Sequence, residues 1–176
     1  MDCLRSPRTW CCTARTLRAA ATPQLSSRSS NSASAARPDP SVAEHVRRYL
    51  ATNGESGFRE GGATNLVLTY RGRKTGKLYR TGLFFGEDDG RYVLVASGSA
   101  ITHTHPKWYL NLAANPEAEV QIRGERFAVR ARTAEGAERE RLWQLMVDMA
   151  PVYRTYEART RRVIPVVVLE RIQDTA

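Results

Sequence analysis

The chain has 176 residues, 41% of them hydrophobic, and 27 Lys and Arg against 18 Asp and Glu give it a formal net charge of +9. This composition is typical of one globular domain with a tail, and it excludes a collagen-like or wholly disordered chain. The charge favours anionic partners such as phosphates, polyacids, nucleic acid or acidic lipids. All three Cys precede residue 13, which excludes a disulfide framework or a four-Cys zinc site in the rest of the chain and indicates a reducing, cytoplasmic location. No apolar run approaches the roughly 18 residues of a membrane-spanning helix.

The composition changes near residue 40. Residues 1–40 contain seven Ser, seven Ala and six Arg, whereas all 12 Gly lie beyond them. We predict a disordered N-terminal extension over 1–40, because it lacks the periodic apolar residues that would offset its ordering entropy, and a folded domain over 41–176. The extension has the composition of an organelle transit peptide, but we favour the interpretation that it begins at a start site placed too early.

Hydrophobic periodicity predicts the elements of the domain in chain order. A capping box at Ser41 opens a short amphipathic helix that ends near Gly54. Strand patterns cover residues 65–70, 78–85, 91–97, 119–123, 126–133 and 164–169, with hairpin signals at 87–90 and 124–125. Helical patterns cover 106–114 and 137–149, and a further helical segment includes Tyr153 and Tyr156. The fold class is therefore mainly β with flanking helices (α+β), a six-stranded antiparallel sheet that curls into a barrel.

A basic segment joins the first two predicted strands. Five of the ten residues from 71 to 80 are Lys or Arg, and no acid occurs from 61 through 86. Gly72 and Gly76 permit a backbone nest for an anion, to which Arg73 and Lys74 add charge and Thr75 adds a hydroxyl donor. A solvated turn that keeps the protein soluble explains the same residues equally well.

Two further segments are candidates for chemistry. The small residues 96–99 end a predicted strand and allow a planar ring to approach the backbone, while Trp108 and Leu112, four apart, are more simply core residues. His103 and His105 have no third ligand at a suitable spacing, so we predict no metal site. Tyr153 and Tyr156 share a helix face and could contact a substrate or donate a proton, although ordinary amphipathic packing is the simpler interpretation.

Four motifs in this order resemble the deazaflavin-dependent nitroreductases and F420H2-dependent quinone reductases. They are Gly72-Arg73-Lys74-Thr75-Gly76, His105-Pro106 with Trp108 to Leu112, Ala114-Asn115-Pro116, and Ile164-Pro165-Val166-Val167-Val168. The resemblance implies an FMN-binding type of split β-barrel, with reduced coenzyme F420 as the cofactor. It implies hydride transfer to a small-molecule acceptor: a quinone, a nitroaromatic or an activated alkene.

The resemblance also implies the site residues. The matching coenzyme-binding positions are Arg73, Lys74, Thr75, Gly76, Tyr79, Arg80, Thr81, Gly82, Leu83, Val95, Ala96, Ser97, Gly98, Lys107, Trp108, Tyr109, Leu110, Asn111 and Tyr153. The matching catalytic positions are Tyr153, Tyr156 and Ser97. Three positions depart from the family pattern: Gly82 replaces a common Pro, Gly98 replaces a Lys or similar residue, and Ala150 replaces a substrate-side Tyr of some relatives.

Two other functions are compatible with the same sequence. An FMN-binding oxidoreductase would share the barrel, and a non-enzymatic module would use its charge to bind nucleic acid or anionic membrane. The predicted domain has only 21 basic and 16 acidic residues, so we predict no nucleic-acid partner. Contact with a membrane at its periphery is compatible with the sequence, which does not decide the oligomeric state.

Overall fold

The computed structural model describes residues 40–98 and 104–173. His103, Ser99 and the predicted extension up to residue 39 lie outside the described residues. The helices are α1 (Pro40–Ala51), α2 (Lys107–Ala114), α3 (Gly136–Met149) and α4 (Val152–Ala158). The strands are β1 (Arg59–Glu60), β2 (Ala63–Arg71), β3 (Leu78–Asp88), β4 (Arg91–Val95), β5 (Glu117–Ile122), β6 (Glu125–Thr133) and β7 (Val166–Arg171).

Six antiparallel strands form a closed barrel. Their order is β2-β3-β4-β7-β6-β5, and pairing of β2 with β5 closes the sheet. Val67 at the centre of β2 lies opposite Gly82 on β3 and opposite Gln121 on β5. This arrangement confirms the predicted six-stranded barrel. The two-residue β1, which pairs with β2, was not predicted, because two residues are too short to show a periodic pattern.

Alternation along β2 builds two different cores. Leu66, Leu68 and Tyr70 lie in the main cluster inside the barrel, whereas Val67 packs outside against Val46 and Tyr49 of α1. A third cluster joins the outer faces of β4 and β7 to α3 and α4. Because side chains in a strand alternate between faces, β2 is buried on both of its faces, whereas β6 alternates buried and exposed residues.

Two local features determine how the elements meet. Asp89 and Gly90 have positive φ angles of 50° and 72° and form the two-residue turn between β3 and β4, as hairpins with this twist require. The Tyr49 hydroxyl donates a hydrogen bond to Asn65 O (3.1 Å) and accepts one from the Arg123 N–H (2.8 Å). This buried hydroxyl therefore fixes α1 to β2 and to the turn between β5 and β6.

Several element boundaries differ from the predictions. β3 continues three residues past 85, to Asp88, since its pairing with β4 extends to the turn. β4 ends at Val95 and β7 begins at Val166. Within the described residues, no helix is both long enough and apolar enough to cross a membrane.

Candidate functional site

The basic loop between β2 and β3 is a tight turn. The Gly72 N–H donates to Lys77 O and the Gly76 N–H donates to Gly72 O, both at 2.8 Å. Gly72 is buried, and a Cβ there would lie 2.6 Å from Tyr79 Cε2 and 2.7 Å from Thr75 Oγ1, while Gly76 has a φ of +67°. Glycine is therefore required at position 72 because these side chains approach its Cα closely, and at position 76 because the backbone there is left-handed.

The hydrogen bonds of the loop correct the predicted backbone nest. Besides the two glycine amides, the Arg73 N–H donates to Asn111 Oδ1 (3.2 Å) and the Lys77 N–H to Thr75 Oγ1 (3.3 Å). Four of the amides that a nest would offer thus already have acceptors in the protein. An anion at this loop would be bound mainly by exposed side chains, chiefly those of Arg73, Lys74 and Lys77.

Asn111 of α2 holds the loop in place. Its buried Oδ1 accepts hydrogen bonds from both the backbone N–H and the guanidinium NH1 of Arg73, at 3.2 and 3.1 Å. Two residues that the resemblance assigns to the coenzyme, 38 positions apart in the chain, are thus brought into direct contact. The contact orders the Arg73 guanidinium without neutralising its charge, because the amide oxygen carries no formal charge.

Within the part of the chain that the structure describes, the charges of the loop have no carboxylate partner. Among residues 40–98 and 104–173, no carboxylate pairs with Arg71, Arg73, Lys74, Lys77 or Arg80. Elsewhere on the barrel, ion pairs to carboxylates are formed by Arg91, Arg130, Arg132, Arg141 and Arg171. These five cations give the loop a positive potential, which favours an anionic ligand.

Strand alternation divides the predicted β3 contacts between two faces. Tyr79, Thr81 and Leu83 lie opposite Tyr70, Leu68 and Leu66, which belong to the barrel interior. The Tyr79 ring stacks on Tyr70 with centroids 6.0 Å apart, and its hydroxyl lies 3.1 Å from Thr75 Oγ1. Arg80 and Gly82 lie on the outer face, so the five predicted residues do not form one surface.

The segment after β4 is held by a residue that the sequence did not single out. Val95, Ala96 and Ser97 are buried, and Arg162 donates to Ala96 O at 3.3 Å and to Ser97 O at 2.5 Å. Gly98 has a φ of +56°, and a Cβ there would lie 3.1 Å from Pro106 Cγ. Backbone conformation thus favours glycine at this position, where the resemblance implies a Lys or similar residue.

The predicted residues of α2 have different surroundings. Trp108 and Leu112 are buried in the barrel core, which confirms the core interpretation, while Lys107 is exposed and Tyr109 and Leu110 are half-buried. The Tyr109 hydroxyl lies 3.1 Å from Thr133 Oγ1, and its ring meets the His105 ring edge-on at 5.2 Å. α2 therefore offers the exposed Lys107 to a ligand more readily than the buried Trp108.

The two tyrosines of α4 lie together. Tyr153 is buried, with its ring 6.2 Å from Trp143 and 6.1 Å from Tyr156, the latter edge-on. Burial, and to a lesser extent Tyr156, raises the pKa of Tyr153 well above its ordinary value, so this phenol stays protonated. Tyr156 is half-buried and is the more accessible of the two.

A cavity of about 400 Å³ lies beside the outer face of β3. It is lined by Arg59, Glu60, Gly61, Gly62, Ala63, Thr64 and Met149. A Cβ at Gly61 would lie 3.0 Å from Phe84 Cζ, so this glycine lets the hairpin between β1 and β2 approach β3. The cavity was not predicted, because its lining comes from the unpredicted β1 and from the distant end of α3.

His45 of α1 covers the strand next to this cavity. Its Nδ1 lies 2.9 Å from Glu60 Oε2, and its buried Nε2 has no hydrogen-bond partner among the described residues. A Cβ on Gly82 would lie 2.5 Å from His45 Cδ2. The imidazole therefore occupies the space that a side chain at position 82 would need, and this accounts for the departure from Pro.

Fold and site together define a split β-barrel in which the loop between β2 and β3 carries basic side chains with no carboxylate partner in the described ranges. The chain belongs to the F420H(2)-dependent quinone reductase family, whose model matches residues 41–171. It is 39% identical over 131 residues to an F420H(2)-dependent quinone reductase of Mycobacterium tuberculosis (strain ATCC 25618 / H37Rv), covering 72% of this chain and 87% of that protein. A putative F420H(2)-dependent quinone reductase of the same strain is 38% identical over 114 residues, which cover 65% of this chain and 94% of that protein.

Solved structures agree with this assignment. An F420-H2 dependent reductase (FDR-A) is similar with a TM-score of 0.56 and 38% identity, over 60% of this chain and 93% of that chain. A second structure, described as a domain-swapped dimer, has a TM-score of 0.59 and 35% identity, over 73% of this chain and 96% of that chain.

The residues present fit the coenzyme that the family uses. Coenzyme F420 carries a phosphate and an acidic tail, and the loop provides basic side chains with no carboxylate partner among the described residues. Arg73, Lys74 and Thr75 would hold these anionic groups, and the Ser97 region would adjoin the ring. In the described ranges, no three His, Cys, Asp or Glu side chains are grouped to bind a metal.

Proposed function

We propose that this chain is an oxidoreductase that transfers a hydride from reduced coenzyme F420 to a quinone-type acceptor. The observation that carries the proposal is the cationic loop, which has no carboxylate partner in the described residues and is fastened to α2 by Asn111. The bound coenzyme supplies the hydride, so the chain needs no nucleophile or metal of its own. The residues of the chain bind and orient the coenzyme and the acceptor, and they donate a proton to the reduced acceptor.

The first role is binding of the anionic part of the coenzyme. Arg73, Lys74 and Lys77 are exposed, and charge-assisted hydrogen bonds from such groups are about twice as strong as neutral ones. The contact of Arg73 with Asn111 lowers the entropy that is lost when the side chain is immobilised by a ligand. The exposed Lys107 at the start of α2 extends the same positive surface.

The second role is binding of the acceptor, which we assign to the 400 Å³ cavity next to Phe84. From Leu78 at the loop to Phe84 is about 20 Å along β3, at roughly 3.3 Å per residue. β3 thus spans the distance from the anion-binding loop to Phe84, which lies next to the cavity. The bare backbone at Gly61 and Gly62 permits a flat ring to lie against it, and we expect nitroaromatic and activated-alkene acceptors to compete for this cavity.

The third role is proton transfer to the reduced acceptor, which gains one hydride and needs one proton on oxygen. Of the three residues that the resemblance implies, Tyr156 is half-buried, whereas Tyr153 and Ser97 are buried. A phenol whose pKa is raised by burial, as that of Tyr153 is, gives up its proton less readily. We therefore propose Tyr156 as the proton donor and Tyr153 as its support.

We further propose a cytoplasmic protein that contacts membranes at its periphery, where a lipid-soluble quinone would be found. Val163 is 70% exposed and Val152 39% exposed, and the exposed Arg154 and Arg161 lie near them in the chain. An apolar surface with basic residues suits an anionic membrane. Cosedimentation with anionic but not neutral vesicles is expected, and equal recovery with both would contradict the proposal.

The coenzyme claim is tested by titrating the protein with F420 and following quenching of the deazaflavin fluorescence, with FMN as the comparison ligand. Lys74→Glu reverses a charge in the loop and should weaken F420 binding by on the order of 1–3 kcal/mol. The matched control is Arg126→Glu, a charge reversal at another exposed residue, whose Nε donates to Gln121 Oε1 at 2.8 Å. No saturable quenching, or equal losses in the two variants, would refute coenzyme binding at the loop. Anaerobic oxidation of F420H2 with quinones, nitroaromatics and enones then ranks the acceptors.

A further inference from the structure

Arg162 joins two parts of the chain that lie far apart in sequence. It follows α4, and its guanidinium donates to the carbonyl oxygens of Ala96 and Ser97 at the end of β4. The same NH1 lies 3.2 Å from Nδ1 of His105, just before α2. One side chain thus fixes the end of β4 against the beginning of α2.

The contact with His105 determines which ring nitrogen carries a proton. A guanidinium has donors only, so Nδ1 must be the acceptor and the ring must be neutral with its proton on Nε2. Burial, and then the charge of Arg162, lowers the pKa of His105 below its ordinary value, which agrees with a neutral ring. His105 is therefore held as a hydrogen-bond donor at Nε2.

Arg162 itself has no counter-ion among the described residues. All three of its hydrogen-bonding contacts are neutral acceptors, no carboxylate pairs with it in the described ranges, and its buried Nε has no partner there. Burial lowers the pKa of Arg162, but an arginine remains charged in a protein. A partly buried, unpaired cation costs folding free energy, so a purely structural role is a poor explanation for it.

We propose that Arg162 is a positioning residue of the coenzyme site: it fixes the Ala96–Ser97 backbone and holds His105 as the neutral Nε2–H tautomer that donates to the coenzyme ring. This inference rests on the proposed function, since the resemblance places the Ser97 segment beside that ring. It adds Arg162 and His105 to the residues that act on the coenzyme. The unpaired guanidinium also places positive charge beside the segment, where a negatively polarised ring carbonyl would be favoured.

The test compares Arg162→Met, which keeps length but removes charge and donors, with Arg161→Met. Arg161 is the exposed neighbour, so the two variants lose the same charge. We expect the Kd for oxidised F420, measured by fluorescence quenching, to rise about tenfold in R162M and less than twofold in R161M. Arg162→Lys keeps the charge but cannot reach three acceptors at once, so it should bind with an intermediate Kd.

A second readout does not require the coenzyme. Nitrogen-15 NMR of the His side chains in the free protein should show His105 as the Nε2–H tautomer in wild type and in R161M. In R162M we expect a mixture of tautomers and a His105 titration closer to that of an ordinary histidine. If R162M does not fold, R162K provides both measurements.

The two readouts separate the possible failures. If wild-type protein does not bind F420, the proposed function fails, while the NMR spectra still test the Arg162–His105 arrangement. If F420 binds equally well to R162M and wild type, or if the His105 tautomer is unchanged in R162M, the positioning role is refuted.

Discussion

Replacement of Asn111 by Leu is expected to release the basic loop from α2. The buried Oδ1 accepts two hydrogen bonds from Arg73, each of which contributes roughly 0.5–1.5 kcal/mol. Their loss should lower the free energy of unfolding by about 2 kcal/mol, which corresponds to a fall of about 8 °C in Tm for a domain of this size. Because the Arg73 guanidinium is no longer preorganised, the Kd for F420 should rise about tenfold.

Asn111→Asp separates the geometry of this contact from its charge. The carboxylate keeps an acceptor for Arg73, and the gain from a partly exposed ion pair, about 1 kcal/mol at most, opposes the cost of burying the new charge. Tm should therefore change by less than in the Leu variant, while F420 binding weakens as much or more because the charge of Arg73 is neutralised. Thermal unfolding and fluorescence quenching measure the two effects, with Asn115→Leu at the end of α2 as the matched control. Wild-type affinity in both Asn111 variants would refute the reasoning.

Three further predictions test neighbouring parts of the structure. Gly82→Ala places a Cβ 2.5 Å from His45 Cδ2 and should lower the free energy of unfolding by about 1–3 kcal/mol. Adding His45→Ala to the same chain should restore most of this loss. An unaltered denaturation midpoint in the single Gly82→Ala variant would contradict the prediction, because it would show that the imidazole moves freely. Met149→Trp fills the cavity beside β3 and should raise the KM for menadione several-fold, with the same Kd for F420 as wild type. A wild-type KM in this variant would place the acceptor elsewhere. Hydrogen bonding to Arg141, and the charge of Arg91, lower the pKa of Asp88 below its ordinary value of 3.8. The Asp88 carboxylate therefore stabilises the fold fully above pH 3.8, and this stabilisation is lost as the pH falls through the lowered pKa. Asp88→Asn should accordingly cost less unfolding free energy in urea near pH 2 than at pH 7, and equal losses at both pH values would contradict the assignment.

Most of the barrel was predictable because its strands alternate. The pattern of β2 and of β6 is visible in the sequence, and the hairpin between β3 and β4 is marked by Asp89-Gly90, whose positive φ angles only a few residue types adopt readily. The errors occur where no local pattern exists. β1 is too short to show periodicity, and β3 continues beyond its apolar residues because Glu87 and Asp88 still pair with β4.

The candidate site was predictable in part. The absence of acids around the loop is visible in the sequence and favours an anion-binding segment, and the family motifs single out Asn111 and the α4 tyrosines as candidates. Their contacts could not be predicted, since Arg73 and Asn111 meet across 38 positions. Arg162 was missed because it lies in a run with Arg159 and Arg161, and nothing in the sequence distinguishes the one that is partly buried from its exposed neighbours.

The sequence by itself determined the alternating strands, the tight glycine turns and the excess positive charge of one loop, because each of these depends on residues that are close together in the chain. Only the tertiary structure decided which charges are paired, which face of β3 is accessible, and which arginine supports the Ser97 segment. Those properties depend on side chains that strand pairing and helix packing bring together from distant positions. A backbone amide such as that of Arg73 is available to a ligand only if no folded neighbour already accepts its hydrogen bond, and here Asn111 does.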